Sequence, residues 1–177
     1  MSGDFCIREF ASGDSVSAIT ALLRAAYASL AASGFRYLAS HQDETITLRR
    51  LQSGIPFIAE SRGDIIGTVT VYRPSSTSLC EWYRQPTVYH FGQFAVRPDL
   101  QQRGIGSRIY EHVEAFARSL DVAELALDTA EGALHLRRWY EHLGFRFVQF
   151  ISWDETNYRS VILSKALNKT HITALER

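Results

Sequence analysis

The amino-acid sequence predicts an α/β fold, more narrowly α+β, in which a mixed sheet of about seven strands is flanked by four helices. Three observations predict it. The chain has 177 residues and is 46% hydrophobic, which suffices to fill a sizeable core. Alternating or continuous apolar stretches typical of strands are interleaved with stretches of helical periodicity. No repeat or linker interrupts the chain, so we expect a single domain over residues 1–177.

The first half of the chain begins with a short strand and a helix. Asp14 is the expected N-cap of that helix, because a carboxylate there accepts a hydrogen bond from the first helical turn. A turn at residues 62–64 joins two later strands into a hairpin. The expected elements are a strand at Phe5–Glu9, a helix whose apolar side runs from Val16 to Leu30, a helix at about Glu44–Leu51, and strands at Pro56–Glu60 and Asp64–Tyr72.

The second half contains the longer elements. A strand ends at Pro98, and a glycine-containing loop then leads into a helix with one apolar stripe. The stripe consists of Ile105, Ile109, Val113, Phe116 and Leu120. The expected elements are a strand at Thr87–Val96, a helix ending near Leu120, a strand at Val122–Leu127, a helix containing Tyr140, and strands at Phe145–Ile151 and Tyr158–Leu163.

The loop before the third helix has the spacing Gln101-x-x-Gly104-x-Gly106. Its glycines keep side chains away from the first helical turn and leave backbone N–H groups exposed at the positive end of the helix. Such a turn suits a phosphate or pyrophosphate. A dinucleotide-binding fingerprint needs a third glycine where Arg108 and Ile109 stand, and a nucleoside-triphosphate loop needs a lysine that this loop lacks. A helix start that binds no ligand remains the alternative.

A second motif follows one strand later, at residues 136–145. Leu136, Trp139, Tyr140 and Leu143 have helical spacing, and Gly144 suits the left-handed conformation that ends a helix. A glycine loop followed by a tyrosine four residues before Gly-Phe resembles the GNAT superfamily of N-acetyltransferases. The resemblance extends over nearly the whole chain in element order, and its specific motifs lie between about Phe91 and Phe145.

The resemblance implies acetyl-CoA as the co-substrate. It implies that two strands splay apart beside the glycine loop and that backbone groups of Phe94 and Val96 pair with the pantetheine arm. N–H groups from Gln102 to Ser107 would then hold the pyrophosphate, with Arg103 adding a charge-assisted contact. The full set of implied cofactor-binding residues is Phe94, Ala95, Val96, Gln101, Gln102, Arg103, Gly104, Ile105, Gly106, Ser107 and Tyr140.

The resemblance also implies a direct attack of an amine on the thioester, in which Tyr140 protonates the departing thiolate. Family members often carry a carboxylate on the preceding strand, but Gln93 occupies the nearest position and cannot take a proton. His90 has a suitable intrinsic pKa and is the candidate base, although a strand histidine that only makes hydrogen bonds explains it as well. Strand alternation puts His90 and Gln93 on opposite faces unless a bulge near Gly92 changes the parity.

Two functions therefore stay open. The first is N-acetyl transfer to a primary amine of a small molecule or a protein. The second is a catalytically silent acyl-CoA-binding or sensor module, because Gln93 replaces the carboxylate and Ala133 replaces an asparagine that often contacts the cofactor. Aromatic residues in loops and at element ends could line the acceptor cleft, or could simply be exposed edges of the core. They are Phe35, Tyr37, Trp82, Tyr83, Trp153 and Tyr158.

Composition narrows the remaining classes. Nineteen basic and nineteen acidic residues cancel, and the absence of a basic stripe argues against a nucleic-acid partner. No apolar run approaches the ~20 residues needed to cross a membrane, and Met1–Asp4 lacks the features of an export signal. Cys6 and Cys80 have neither metal-ligand nor redox spacing, so we expect reduced thiols, no metal and a cytoplasmic protein. The family resemblance implies a homodimer paired through the terminal strands, while the residues themselves leave a monomer open.

Overall fold

The computed structural model describes residues 4–167, in which seven strands and four α-helices follow the predicted order. The strands are β1 (Cys6–Glu9), β2 (Ile55–Ser61), β3 (Asp64–Tyr72), β4 (Val88–Val96), β5 (Glu124–Ala130), β6 (Arg146–Ser152) and β7 (Arg159–Ala166). The helices are α1 (Val16–Ala32), α2 (Glu44–Gln52), α3 (Ile105–Ser119) and α4 (Leu134–His142). The predicted single domain spans residues 1–177, of which residues 1–3 and 168–177 lie outside the described residues. The prediction about an export signal at Met1–Asp4 therefore falls mostly outside them.

All strands belong to one sheet in the order β1-β2-β3-β4-β5-β7-β6. Neighbouring strands are antiparallel except β4 and β5, which are parallel. The mixed sheet of seven strands with four helices confirms the predicted fold class. None of the helices within residues 4–167 is long and apolar enough to cross a membrane.

Helices cover both faces of the sheet because the strand residues alternate in direction. Phe57 and Ala59 of β2 pack into the core on the side of α3, whereas Ile58 between them packs with Ile19 and Leu23 of α1. Helix α4 shares the α3 side through Tyr140, and α2 shares the α1 side through Leu51. Each fully buried aliphatic side chain in these two layers contributes about 1.5–3 kcal/mol, so the sheet is fixed from both sides.

Strands β4 and β5 separate after a short parallel stretch. Their paired residues end with His90 opposite Ala126. Both strands continue beyond that point, β4 to Val96 and β5 to Ala130, but within the described residues they no longer pair with each other. The sheet therefore has a gap between its two middle strands, next to the start of α3.

A β-bulge in β4 lies at this separation. Thr70 pairs with Gly92 and Thr68 with Ala95, so Gln93 and Phe94 together oppose one residue of β3. Gln93 has a φ of 49°, the left-handed conformation that a bulge imposes on it. The bulge changes the parity, and the side chain of Gln93 lies on the same face as that of His90. It donates hydrogen bonds to Thr70 Oγ1 at 3.3 Å and to the Tyr72 hydroxyl, on which His90 stacks, at 3.5 Å.

One predicted detail was wrong. Ser15, not Asp14, caps α1, because the Ser15 hydroxyl accepts the N–H of Ala18 at 3.1 Å. The Asp14 carboxylate instead accepts the N–H of Ala11 and a bidentate contact from the Arg8 guanidinium.

The terminal strands that are predicted to pair in a dimer are β6 and β7. Strand β7 is enclosed between β5 and β6, so its hydrogen-bonding groups are used within the chain. Of these two strands only β6 has a free edge, and pairing of two copies through β6 stays a prediction.

We predict that Gly67→Ala destabilises the fold. A Cβ atom at this position of β3 would lie 2.6 Å from Cδ1 of the buried Ile109 on α3 and 3.2 Å from the carbonyl oxygen of Ala95. Overpacking of this kind costs about 1–3 kcal/mol. Gly13→Ala is the matched control, since nothing lies within 4 Å of a Cβ there. Denaturant unfolding measures both, and equal stabilities would contradict the close packing of α3 on β3.

Candidate active site

The loop between β4 and α3 presents a row of unbonded backbone N–H groups. Within the described chain, the N–H groups from Gln102 to Ser107 donate no hydrogen bond, and the first donor is Arg108, which bonds to the carbonyl of Gly104 at 3.1 Å. Residues 101–104 are exposed. Unsatisfied N–H groups at the positive end of a helix form an anion site. The loop therefore fits a pyrophosphate group.

Backbone conformation explains the glycines in this loop. Gly104 precedes α3 with a φ of 82°, where an L side chain is strained. Gly106 lies in the first turn, and a Cβ on it would meet the side chains of Phe94 and Val96, each at 3.8 Å. A larger side chain at 106 would therefore occupy the space between α3 and the end of β4.

The free edge of β4 lies beside this loop. Arg97 donates its N–H to the carbonyl of Ile66 on β3. Because antiparallel bonding alternates along a strand, Val96 turns its N–H and C=O toward the opposite edge, which borders the gap. The Val96 carbonyl there accepts Gln101 Nε2 at 3.1 Å, and the Phe94 carbonyl accepts the Tyr27 hydroxyl at 3.1 Å. Each carbonyl has a second lone pair, so this edge can still bind amide groups.

Tyr140 lies on α4 with its ring in the core. The ring packs against Phe91, Trp139 and Phe145, with centroid distances from 4.9 to 6.2 Å. Its hydroxyl makes no hydrogen bond within residues 4–167. Burial raises the pKa of Tyr140 well above 10, and the nearby Tyr27 hydroxyl raises it further. The phenol is therefore protonated at neutral pH, as a proton donor must be.

A cleft of about 210 Å³ opens where β4 and β5 separate. Gly92 and Gln93 line it from β4, and Asp128 lines it from β5. This volume is below the ~300–1,000 Å³ of a typical drug-sized site, so the cleft suits a small ligand. Its aromatic walls are formed by Tyr27, Tyr37, Trp153 and Tyr158.

Asp128 is the carboxylate of the cleft. Its Oδ2 accepts Trp153 Nε1 at 3.1 Å and the Ser160 hydroxyl at 3.2 Å, while Oδ1 has no side-chain donor within the described residues. Burial raises the pKa of this carboxyl above its usual value, against the lowering effects of the two hydrogen bonds and of the Arg50 charge. A carboxylate that is poorly solvated and half satisfied is suited to accept a proton or to bind a cation.

Arg50 is the cation of the cleft, and buried amides hold it. Its Nη1 donates to Gln42 Oε1 at 2.6 Å. Gln42 is fully buried and donates in turn to Thr47 Oγ1 at 2.8 Å and to Gln93 Oε1 at 3.0 Å. Gln93 continues the network to Thr70. The bulged residue of β4 thus helps to orient an arginine of α2.

His90 is stacked between two tyrosines. Its ring lies parallel to that of Tyr83 at 3.9 Å and stacks on Tyr72 at 5.1 Å. Its Nδ1 is buried without a hydrogen-bond partner. Burial lowers the pKa of His90 to about 3, so the imidazole is neutral at pH 7 and a weak proton acceptor. His90 as the base stays a prediction, and this environment disfavours it.

The other candidate aromatics are divided between the cleft and the core. Tyr37, Trp153 and Tyr158 line the cleft, whereas Tyr83 packs beside His90 in a separate cluster that Trp82 borders. Phe35 lies behind Tyr158, with ring centroids 6.0 Å apart.

One connection joins the two segments that carry the cleft residues Tyr37 and Tyr158. Asn157 donates Nδ2 to the carbonyl of Gly34 and accepts the N–H of Arg36 through Oδ1. It therefore ties the β6–β7 loop to the segment after α1.

Known proteins resemble this arrangement. The family model described as "Acetyltransferase (GNAT) family" matches residues 18–145, more than half of the chain. The chain belongs to the GNAT acetyltransferase family. A curated relative, S-(2-succino)cysteine N-acetyltransferase from Bacillus subtilis (strain 168), is 30% identical over 125 residues, which cover 68% of this chain and 72% of the relative. The protein is accordingly an N-acetyltransferase.

Solved structures of other GNAT acetyltransferases share the fold. The ribosomal-protein-S18-alanine N-acetyltransferase from Escherichia coli superposes with a TM-score of 0.70 at 16% identity, covering 93% of this chain and 94% of that one. A GNAT family acetyltransferase from Elizabethkingia anophelis with acetyl-CoA bound gives 0.66 at 17% identity, covering 92% and 98%. At these identities the likeness shows the fold alone.

The cleft residues Asp128, Arg50 and Gln42 are those that sequence reasoning undervalued in this GNAT protein. The predicted strand ended at Leu127 and so left Asp128 outside it, but β5 continues to Ala130. The available signal was a carboxylate that directly follows the apolar stretch Leu125–Leu127. Arg50 and Gln42 carried no local signal, because only tertiary packing brings α2 to the bulge.

We predict that Asp128→Asn raises thermal stability at pH 7. The folded-state pKa of Asp128 is raised, so its ionised form destabilises the fold above the unfolded pKa, and this cost disappears as the pH falls below that value. Asparagine keeps an acceptor for Trp153 and Ser160. The gain in melting temperature should therefore shrink between pH 7 and about pH 4.

Glu131→Gln is the control of opposite sign. The Arg159 guanidinium lowers the pKa of this exposed carboxyl, so its charge stabilises the fold above the unfolded pKa. Glu131→Gln should slightly lower the melting temperature at pH 7. A lower melting temperature for Asp128→Asn as well would contradict the buried, penalised carboxylate.

Proposed function

We propose that this protein transfers the acetyl group of acetyl-CoA to a primary amine, which attacks the thioester directly. One observation carries the proposal: the unbonded N–H row, the free edge of β4 and the Asp128 cleft all adjoin the gap between β4 and β5. The acceptor named for the Bacillus relative is a small molecule, which supports a small amine over a protein.

The donor side would be held mainly by backbone groups. N–H groups from Gln102 to Ser107 are available for the pyrophosphate, and the exposed Arg103 can add a charge-assisted contact. Phe94 and Val96 offer edge groups to the pantetheine amides, while Ala95 pairs with β3. Gln101 supports this edge through its bond to Val96, and the buried Ile105 anchors the start of α3.

The reaction requires two proton movements. An alkyl ammonium has a pKa near ~10.4 and must lose a proton before its nitrogen attacks the carbonyl carbon. As the carbon–nitrogen bond forms and the carbon–sulfur bond breaks, the thiolate departs and leaves faster if it is protonated. Tyr140 is the proposed donor of that proton, because its phenol is neutral at pH 7 and its hydroxyl is not engaged elsewhere in the described chain.

Asp128 is the proposed group that binds the ammonium and takes its proton, directly or through a water. It lines the cleft, keeps one oxygen without a side-chain donor, and lies close enough for its charge to raise the pKa of Tyr140. His90 is the alternative acceptor, but its lowered pKa gives it a smaller driving force. A carboxylate on β5 would thus replace the one that Gln93 cannot supply.

The rival function, a silent acyl-CoA-binding module, predicts cofactor binding without turnover. Release of free thiol from acetyl-CoA in the presence of a panel of amines separates the two. Turnover with any amine supports the transferase. Tight CoA binding with no turnover across the panel would favour the sensor, and no CoA binding would contradict both.

We predict that Tyr140→Phe lowers turnover by about 10²–10⁴-fold while the affinity for acetyl-CoA changes little. The hydroxyl acts only as the carbon–sulfur bond breaks, so its loss affects the transition state and not ground-state binding. The ring still packs on Phe91 and Trp139, so the melting temperature should be unchanged. Steady-state kinetics and calorimetry measure both quantities. Full turnover at pH 7 would show that the phenol serves packing only.

We predict that Gly106→Val weakens CoA binding by on the order of 2–4 kcal/mol. The branched side chain would fill the space toward Phe94 and Val96 and displace the N–H row from the phosphates. Calorimetry with CoA measures the loss, and Gly13→Val, in open space, is the control. Unchanged affinity would mean that the phosphates bind elsewhere.

A further inference from the structure

The cleft holds two opposite charges that attract each other across it, because Arg50 lowers the pKa of Asp128, but that are not in direct contact. Asp128 on β5 and Arg50 on α2 both line it, yet no ion pair joins them. Within residues 4–167, no carboxylate lies within ion-pair distance of Arg50, and its hydrogen bond goes to the neutral Gln42. A half-buried guanidinium that makes only one side-chain hydrogen bond keeps donors free, and a ligand carboxylate could accept them in a direct ion pair.

The structure fixes the direction of Arg50. Its Nη1 is bound to Gln42, and its Nη2 lies 3.8 Å from the position of a Cβ on Gly92, which borders the cleft. Gln42 and Gln93 are almost completely buried, at 0% and 2% exposure, although their hydrogen bonds serve no secondary structure. Buried amides are costly unless fully bonded. The effect of Gln42 and Gln93 is to orient the Arg50 guanidinium toward the cleft.

We propose that the acceptor is a free α-amino acid, whose carboxylate binds Arg50 while its α-ammonium binds Asp128. This inference rests on the proposed transferase function and adds the substrate class. An α-amino acid carries both charges on one carbon, matching two opposite charges that are not in direct contact in a cleft of about 210 Å³. A protein N-terminus has the ammonium but not the adjacent carboxylate, so it leaves Arg50 unpaired. Glu155, the cleft's other carboxylate, is exposed at the rim and screened by water.

The test compares three forms of the same acceptors: α-amino acids with a range of side chains, their carboxamides, and the amines that lack the carboxyl group. The full-length protein should use the acid forms with a kcat/KM about 10–100-fold above the amide forms. Arg50→Gln should remove most of this ratio and change the rate on amides much less. Comparing this ratio between the wild type and the variant cancels the different amine pKa values of the three forms.

Arg49→Gln is the matched control, because the neighbouring arginine is exposed and does not line the cleft. It should keep the wild-type ratio. Arg50→Lys keeps the charge without the planar fork and should give an intermediate ratio. Melting curves establish that each variant is folded, and the wild-type ratio alone tests the inference if Arg50→Gln does not fold.

The outcomes separate this inference from the proposed function. Turnover with simple amines or amides that equals turnover with amino acids would overturn the carboxylate anchor and leave the transferase intact. If no acceptor turns over, calorimetry with amino acids on the CoA-saturated protein decides. Binding that Arg50→Gln abolishes would support the amino-acid site without catalysis. Absence of binding would overturn it.

Discussion

The missing hydrogen bonds between β4 and β5 beyond His90 determine the rest of the structure. A sheet that closed along the full length of both strands would satisfy its backbone internally and leave no central opening. Because pairing stops, the edge of β4 faces open space. This edge leads directly into the loop that carries the unbonded N–H groups at the start of α3. The same separation places Asp128 opposite Gln93 across a cleft. Donor edge and acceptor cleft are thus two sides of one interruption in the sheet.

The bulge at Gln93 determines which side chains face the cleft at this interruption of the sheet. The bulge turns the Gln93 side chain to the face of the sheet that carries His90, whereas a regular strand would turn it to the opposite face. The positive φ of Gln93 is a strained conformation for a residue other than glycine. That strain is offset by hydrogen bonds to Gln42 and Thr70 in the interior. The family's carboxylate position has therefore become structural support for an arginine, which explains how a protein can lack that carboxylate and still carry charges in its cleft.

The sequence predicted the features that depend only on short, local stretches of the chain. The glycine loop and the Tyr140 helix are local, because the conformations of Gly104 and Gly144 and the helical apolar spacing need no partner. The sequence indicated what a bulge near Gly92 would do to the faces of His90 and Gln93, but it did not indicate whether the bulge exists. The meeting of Arg50 with Asp128 was beyond sequence reasoning, because it depends on how α2 packs on the sheet. Asp14 failed for a related reason: a distant residue, Glu60, helps to hold the Arg8 that engages it.

Burial acts on the two proposed proton-handling groups in opposite functional senses. For Tyr140, a raised pKa deepens the preference for the neutral phenol, which is already the form that donates. For Asp128, a raised pKa brings the carboxyl closer to neutral pH and makes its anion a stronger base. His90 moves the other way, because burial penalises its cation and weakens it as an acceptor. Burial thus strengthens the carboxylate as a base, keeps the phenol protonated although it makes it a weaker acid, and weakens the imidazole, so the two proposed proton movements do not require His90.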